Sequence, residues 1–135
     1  KARAREYAEA DPSNRILMNL GLCDPTAIAC IVKVAQSLPI DPPEEFWTVG
    51  SSGTLNRGLQ LAWPNAKAHV VQVGHSMSKE EIGRASWWKS SLPFDRAVKK
   101  ENAPPFPSAP TYDGKAWEFM KIHAKPGSLL WNVGS

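Results

Sequence analysis

Five consecutive residues, Gly50-Ser51-Ser52-Gly53-Thr54, combine three side-chain hydroxyls with two glycines. Hydroxyls donate hydrogen bonds to oxyanions, and glycines let a backbone turn sharply and come close to a ligand. The run follows a short β-prone stretch, Phe46 to Val49. It precedes a helical pattern in which Leu55, Leu59 and Trp63 recur at helical spacing, ended by Pro64. A helix beginning near Thr54 turns free backbone N–H groups and the positive end of its dipole toward the loop. The chemistry this predicts is the capture of a phosphate group.

Other readings of the same residues stand beside that one. A tight strand-to-helix turn with a Ser/Thr cap needs no ligand. A non-catalytic domain that binds a phosphorylated small molecule would use the same loop. A serine hydrolase would use Ser52 as nucleophile, because the run nearly meets Gly-x-Ser-x-Gly, with Thr54 replacing the last glycine. It would need His69, His75 or His123 as base, and none of these carries a supporting motif. A P-loop is excluded because no lysine follows Gly53, and a dinucleotide fingerprint because the glycines fall at 50, 53 and 58. The histidines, Cys23 and Cys30 do not stand at metal-ligand spacing.

The elements that must position the loop follow from the rest of the chain. Its 135 residues suffice for one domain with a core. The net charge of +3 comes from scattered lysines and arginines, without the basic stripe that nucleic acid requires. No apolar run reaches membrane-spanning length and no secretory signal is visible, so no membrane partner is expected. Two cysteines are too few for a disulfide scaffold, which fits a cytoplasmic setting. Cys30 reads as a buried thiol within an apolar helical stripe.

Residues 1–10 read as a helix, broken by Asp11-Pro12. Residues 15–20 read as a short strand. Asp24-Pro25 marks a helix start, and Ala27, Ile28, Ile31, Val32, Ala35 and Leu38 give its apolar face. Ala68 to Val73 is a second strand after the loop helix, so 46–73 spells strand, turn, helix, strand, the signature of a parallel sheet. Residues 75–111 are irregular, with a short helical piece expected at 94–100. Trp87-Trp88 is a candidate substrate mouth or dimer contact, the helix at 1–10 is a second candidate dimer contact, and Trp63, Trp117 and Trp131 read as core. Asp113 is expected to cap a helix, and 128–133 to form a last strand. The expected fold is α/β, three-layered, with a mostly parallel sheet between helices.

The run Gly-Ser-Ser-Gly-Thr-Leu-x-Arg-Gly-Leu, followed by Ala-Trp-Pro and His-Val-Val-Gln-Val-Gly, resembles fold-type II pyridoxal-phosphate-dependent enzymes, the group of cysteine synthase, threonine dehydratase and the tryptophan synthase β subunit. The stretch from Tyr112 to Phe119, then Leu-Leu-Trp-Asn-Val-Gly, resembles the last helix and strand of small members. The resemblance implies pyridoxal 5'-phosphate as cofactor, held through its phosphate by Gly50, Ser51, Ser52, Gly53 and Thr54. It implies an amino-acid substrate, with β-elimination, replacement or deamination as the chemistry, and a homodimer. The family's partner for the pyridine nitrogen falls at Asn132 or Ser135. The family's Schiff-base lysine lies in a segment earlier than any matched here, so residues 1–135 are expected to be one α/β domain cut from a longer chain.

Overall fold

The computed structural model describes residues 2–134, and the N- and C-terminal residues lie outside that range. Four strands form one sheet in the order β3-β2-β1-β4, all parallel. In chain order the elements are α1 (Ala2–Glu9), α2 (Pro25–Gln36), β1 (Glu45–Gly50), α3 (Thr54–Ala62), β2 (Lys67–Gln72), α4 (Lys79–Ile82), β3 (Ser86–Lys89), α5 (Trp117–His123) and β4 (Leu129–Leu130). A parallel sheet must be covered on both faces, and both are. On one side Phe46 and Ala68 pack with Ala35 of α2 and Leu59 and Ala62 of α3. On the other, Trp47, Val49 and Val71 pack with Ala116 and with Met120 of α5. Phe46 and Trp47 point to opposite faces because side chains alternate along a strand. Both are fully buried, and each such side chain stabilises the fold by about 2–3 kcal/mol.

The central unit forms where the sequence places it. Asp24 caps α2 by accepting hydrogen bonds from the Thr26 and Ala27 N–H groups at 2.9 and 3.0 Å, with Pro25 at the first helical position. β1 runs in register with β2 from Glu45 opposite Lys67 to Gly50 opposite Gln72. None of the described helices is long and apolar enough to cross a membrane.

Five expectations are corrected. Residues 15–19 form no strand and pair with neither edge of the sheet, and Ile16 is 87% exposed. Residues 94–99 are turn and extended chain rather than helix. Lys115 holds the Pro93 and Phe94 carbonyls at 2.7 and 3.3 Å, so that stretch is fixed by a side chain instead of helical bonds. The last strand is only Leu129–Leu130, since only these residues have a partner on β1. Asp113 caps no helix; its Oδ2 accepts the Gly134 N–H at 2.9 Å, and a 3-10 turn, Asp113–Ala116, leads into α5. Cys30 is exposed rather than buried, because it is turned about 100° around α2 from Ile31, which packs on the core.

Two elements form inside the stretch read as irregular. α4 begins with a capping box in which Ser78 and Glu81 satisfy each other's backbone N–H groups. β3 carries the tryptophan pair. Alternation leaves Trp87 46% exposed and turns Trp88 onto the core. Trp63 is buried, while Trp117 and Trp131 are half-buried against the two core clusters.

Candidate functional site

The chain leaves β1 at Gly50 and enters α3 at Thr54. Gly53 makes the turn possible. Its φ of +74° lies in the left-handed region, which costs a residue with a Cβ about 1–2 kcal/mol. A side chain there would also strike Glu81, whose Cβ lies 2.6 Å from the Cβ position. No side chain caps α3, so the N–H groups of its first turn have no side-chain acceptor.

Topology decides where this loop looks. From β1 the chain adds β2 and then β3 on one side, and β4 returns to the other side of β1. The strand order therefore reverses between β1 and β4. In open α/β sheets the crevice outside the strand C-termini at such a point is where ligands bind. A cavity of about 490 Å³ lies there, lined by the whole Gly50–Thr54 run together with Gly21, Cys30, Tyr112 and Val133. A second hollow of about 420 Å³ shares Gly21, Ser51, Ser52 and Tyr112 and adds His75 and Phe94. A wider surface depression, about 830 Å³ along Ile28, Val32 and Leu61, lies apart from the loop and contains no carboxylate, imidazole or thiol.

Within the cavity the hydroxyls converge. Thr54 Oγ1 donates to the Gly21 carbonyl at 2.7 Å. Ser52 Oγ lies 3.1 Å from Thr54 Oγ1 and 3.4 Å from the same carbonyl. Both hydroxyls thus point at one oxygen, in front of the free helix N-terminus. Tyr112 stands edge-on to Phe94 at the opening, with ring centroids 6.1 Å apart. Burial and the neighbouring Asp113 charge push its phenol pKa up, so it is a hydrogen-bond donor at neutral pH.

All five loop residues proposed from sequence are brought together in the cavity lining. Asn132 is placed differently: its Nδ2 donates to the Pro107 carbonyl at 2.7 Å and its Oδ1 accepts from Ser108 at 3.2 Å, so the side chain ties down the 107–108 loop. Val133 lines the cavity in that region. Ser135 and Lys1 lie outside the described residues. Lys33 is exposed on α2, and Lys67 stands at the opposite end of the sheet, 3.9 Å from Glu45 Oε2. Ser52 has no imidazole partner among the described residues. His75 shares its hollow, His69 is buried within the sheet, and His123 stacks on Trp88.

Gly21, Tyr112, Cys30 and Val133 are among the cavity residues that sequence reasoning missed. Gly21 lies in a segment read as strand and loop, more than 30 residues from the hydroxyls it meets. No local signal reports such a contact. Comparison with protein-family models, curated proteins and solved structures finds no match for this chain.

Proposed function

We propose that this protein binds a phosphorylated small molecule, with the phosphate held by the Gly50–Thr54 loop. The observation that carries the reading is the convergence of the Ser52 and Thr54 hydroxyls on one oxygen, before an uncapped helix N-terminus at the reversal point of the sheet. Phosphate oxygens accept hydrogen bonds from hydroxyl and backbone donors of this kind, and the helix dipole adds to the attraction.

The resemblance names the molecule as pyridoxal 5'-phosphate and makes the chain the phosphate-binding portion of an α/β protein acting on amino acids. The hydroxyls and glycines of the loop support a role in holding the phosphate end of that cofactor. The ring end is less complete: no described lysine lines the cavity or the adjoining hollow. The cofactor's electron-sink chemistry requires such an amine at its aldehyde. No catalytic step is assigned to the residues described, and their role in this reading is to bind and orient. The same lysine placement favours, as a second reading, a non-catalytic binder of phosphorylated ligands.

Calorimetric titration with pyridoxal phosphate, pyridoxal and inorganic phosphate tests the proposal. Binding that requires the phosphate and is weakened by Thr54→Val supports it. Equal binding of pyridoxal with and without phosphate would place recognition elsewhere.

A further inference from the structure

The oxygen that the loop hydroxyls meet belongs to the protein itself. It is the carbonyl of Gly21, in a turn from Asn19 to Cys23 that lies over the cup. Two consecutive residues of that turn are left-handed, Gly21 at φ +67° and Leu22 at φ +53°. Leu22 is the one non-glycine residue with positive φ among those described, and a leucine held there is strained. The turn is closed by the Leu22 N–H on the Asn19 carbonyl at 3.0 Å and the Asp24 N–H on the Leu22 carbonyl at 2.8 Å. Asn19 Nδ2 also reaches the Cys23 carbonyl at 3.3 Å. Within the turn Gly21 is exposed and Leu22 is 49% exposed. The turn also stands between the two hollows, since Gly21, Ser51, Ser52 and Tyr112 line both.

We propose that the Asn19–Cys23 turn is an internal plug, whose Gly21 carbonyl occupies the phosphate-oxygen position and must lift for the ligand to bind. This rests on the loop being the anion site. A carbonyl oxygen and a phosphate oxygen repel at contact distance, and each hydroxyl has a single proton to donate, so both cannot use the cup at once. The turn and the ligand therefore compete. Apparent affinity equals the intrinsic affinity reduced by the fraction of molecules with the plug lifted. Lifting is favoured by release of the Leu22 backbone strain and opposed by the two hydroxyl bonds. Lifting removes Gly21 from the wall that the two hollows share.

Two substitutions move the equilibrium in opposite directions. A Cβ at Gly21 would overlap the Cβ and Oγ of Ser52, so Gly21→Ala cannot close. Leu22→Gly removes the left-handed penalty and holds the plug shut. Titration of the full chain with pyridoxal phosphate is expected to give severalfold tighter binding for Gly21→Ala and severalfold weaker binding for Leu22→Gly. Hydrogen exchange at the Leu22 and Asp24 amides of the parent should speed up at saturating ligand, because their closing bonds open. If the parent binds and Gly21→Ala binds equally or less tightly, the plug is overturned and the anion site stands. If neither binds, the site and the plug fall together. Should Gly21→Ala fail to fold, as circular dichroism would reveal, Leu22→Gly and the exchange rates decide: unchanged affinity with unchanged exchange overturns the plug.

Discussion

The imidazole of His69 lies flat on the indole of Trp47, with ring centroids 4.1 Å apart and planes inclined by 3°. The pair sits in the middle of the β1–β2 register, where Trp47 stands opposite His69. Trp88 Nε1 donates to His69 Nδ1 at 3.2 Å, which leaves the neutral ring's proton on Nε2. That nitrogen faces Glu45 Oε2 at 3.6 Å. Glu45 is itself buried and accepts from Trp47 Nε1, Ser128 Oγ and the Lys125 N–H through Oε1. One carboxylate thus ties β1 to β2 and to the turn before β4.

This cluster predicts acid lability. Burial raises the Glu45 pKa, but the hydrogen bonds from Trp47, Ser128 and Lys125 and the His69 charge outweigh it and bring it down to about 2. A depressed carboxylate contributes stability in full above its unfolded value of 4.5, and that stability is lost as pH falls toward 2. Burial lowers the His69 pKa below 6.5, against the pull of Glu45. The unfolded chain therefore takes up that proton first, and stability falls as pH drops below 6.5. Urea melts between pH 8 and 3 should show a plateau above 6.5 and a two-stage decline. Glu45→Gln should lose stability at pH 7 and flatten the lower stage. Constant stability down to pH 4 would contradict this account.

Thr54→Val removes the hydroxyl with the shortest bond in the cup and keeps the side-chain shape. The hydroxyl exchanges its bond to the Gly21 carbonyl for a charge-assisted bond to the phosphate, and the two differ by about 1 kcal/mol, so affinity for pyridoxal phosphate should drop about fivefold. Gly53→Asp should abolish binding, but the strike on Glu81 also lowers the melting temperature, so Thr54→Val is the cleaner probe.

Lys115 is fully buried, and burial lowers its pKa, with Asp95 and Glu118 opposing. Its ammonium holds the carbonyls of Pro93 and Phe94 and so fixes the wall that carries Phe94. Lys115→Met should cost about 1–3 kcal/mol by leaving those carbonyls without a donor. Thermal melts measure the loss, and an unchanged midpoint would show that the loop is held otherwise.

Borohydride reduction in the presence of pyridoxal phosphate should leave no single, stoichiometrically labelled lysine. The described lysines stand outside the cavity lining. One cleanly labelled peptide, found by mass spectrometry, would assign a covalent role that this geometry does not provide.

The chain is expected to form a homodimer through the open edge at β3. Edge strands invite pairing with another chain, and Trp87 stands on that edge 46% exposed. Sedimentation at micromolar concentration should give twice the 14.8 kDa chain mass, and Trp87→Lys should return the monomer. A monomeric parent would refute the contact.

Local chemistry was legible in the sequence. Gly53 at a left-handed turn, Asp24-Pro25 before an apolar helical stripe and two β-prone runs around a helix each act within a few residues, so α2, β1, the loop, α3 and β2 could be read directly. The Ser78-x-x-Glu81 box was equally local and was passed over inside a stretch dominated by prolines. Tertiary structure decided what depends on partners distant in the chain. Residues 15–19 had the composition of a strand, yet the fold brings them to neither sheet edge. Trp87-Trp88 became a strand because β2 offered one. The strand order placed the cavity between β1 and β4, and the Gly21 carbonyl came to rest on Ser52 and Thr54 across 31 and 33 residues. Residue type and spacing encode turns and helix faces because those are set by short-range sterics and hydrogen bonds. Which surfaces meet is set by burial of the whole chain, and no window of the sequence contains it.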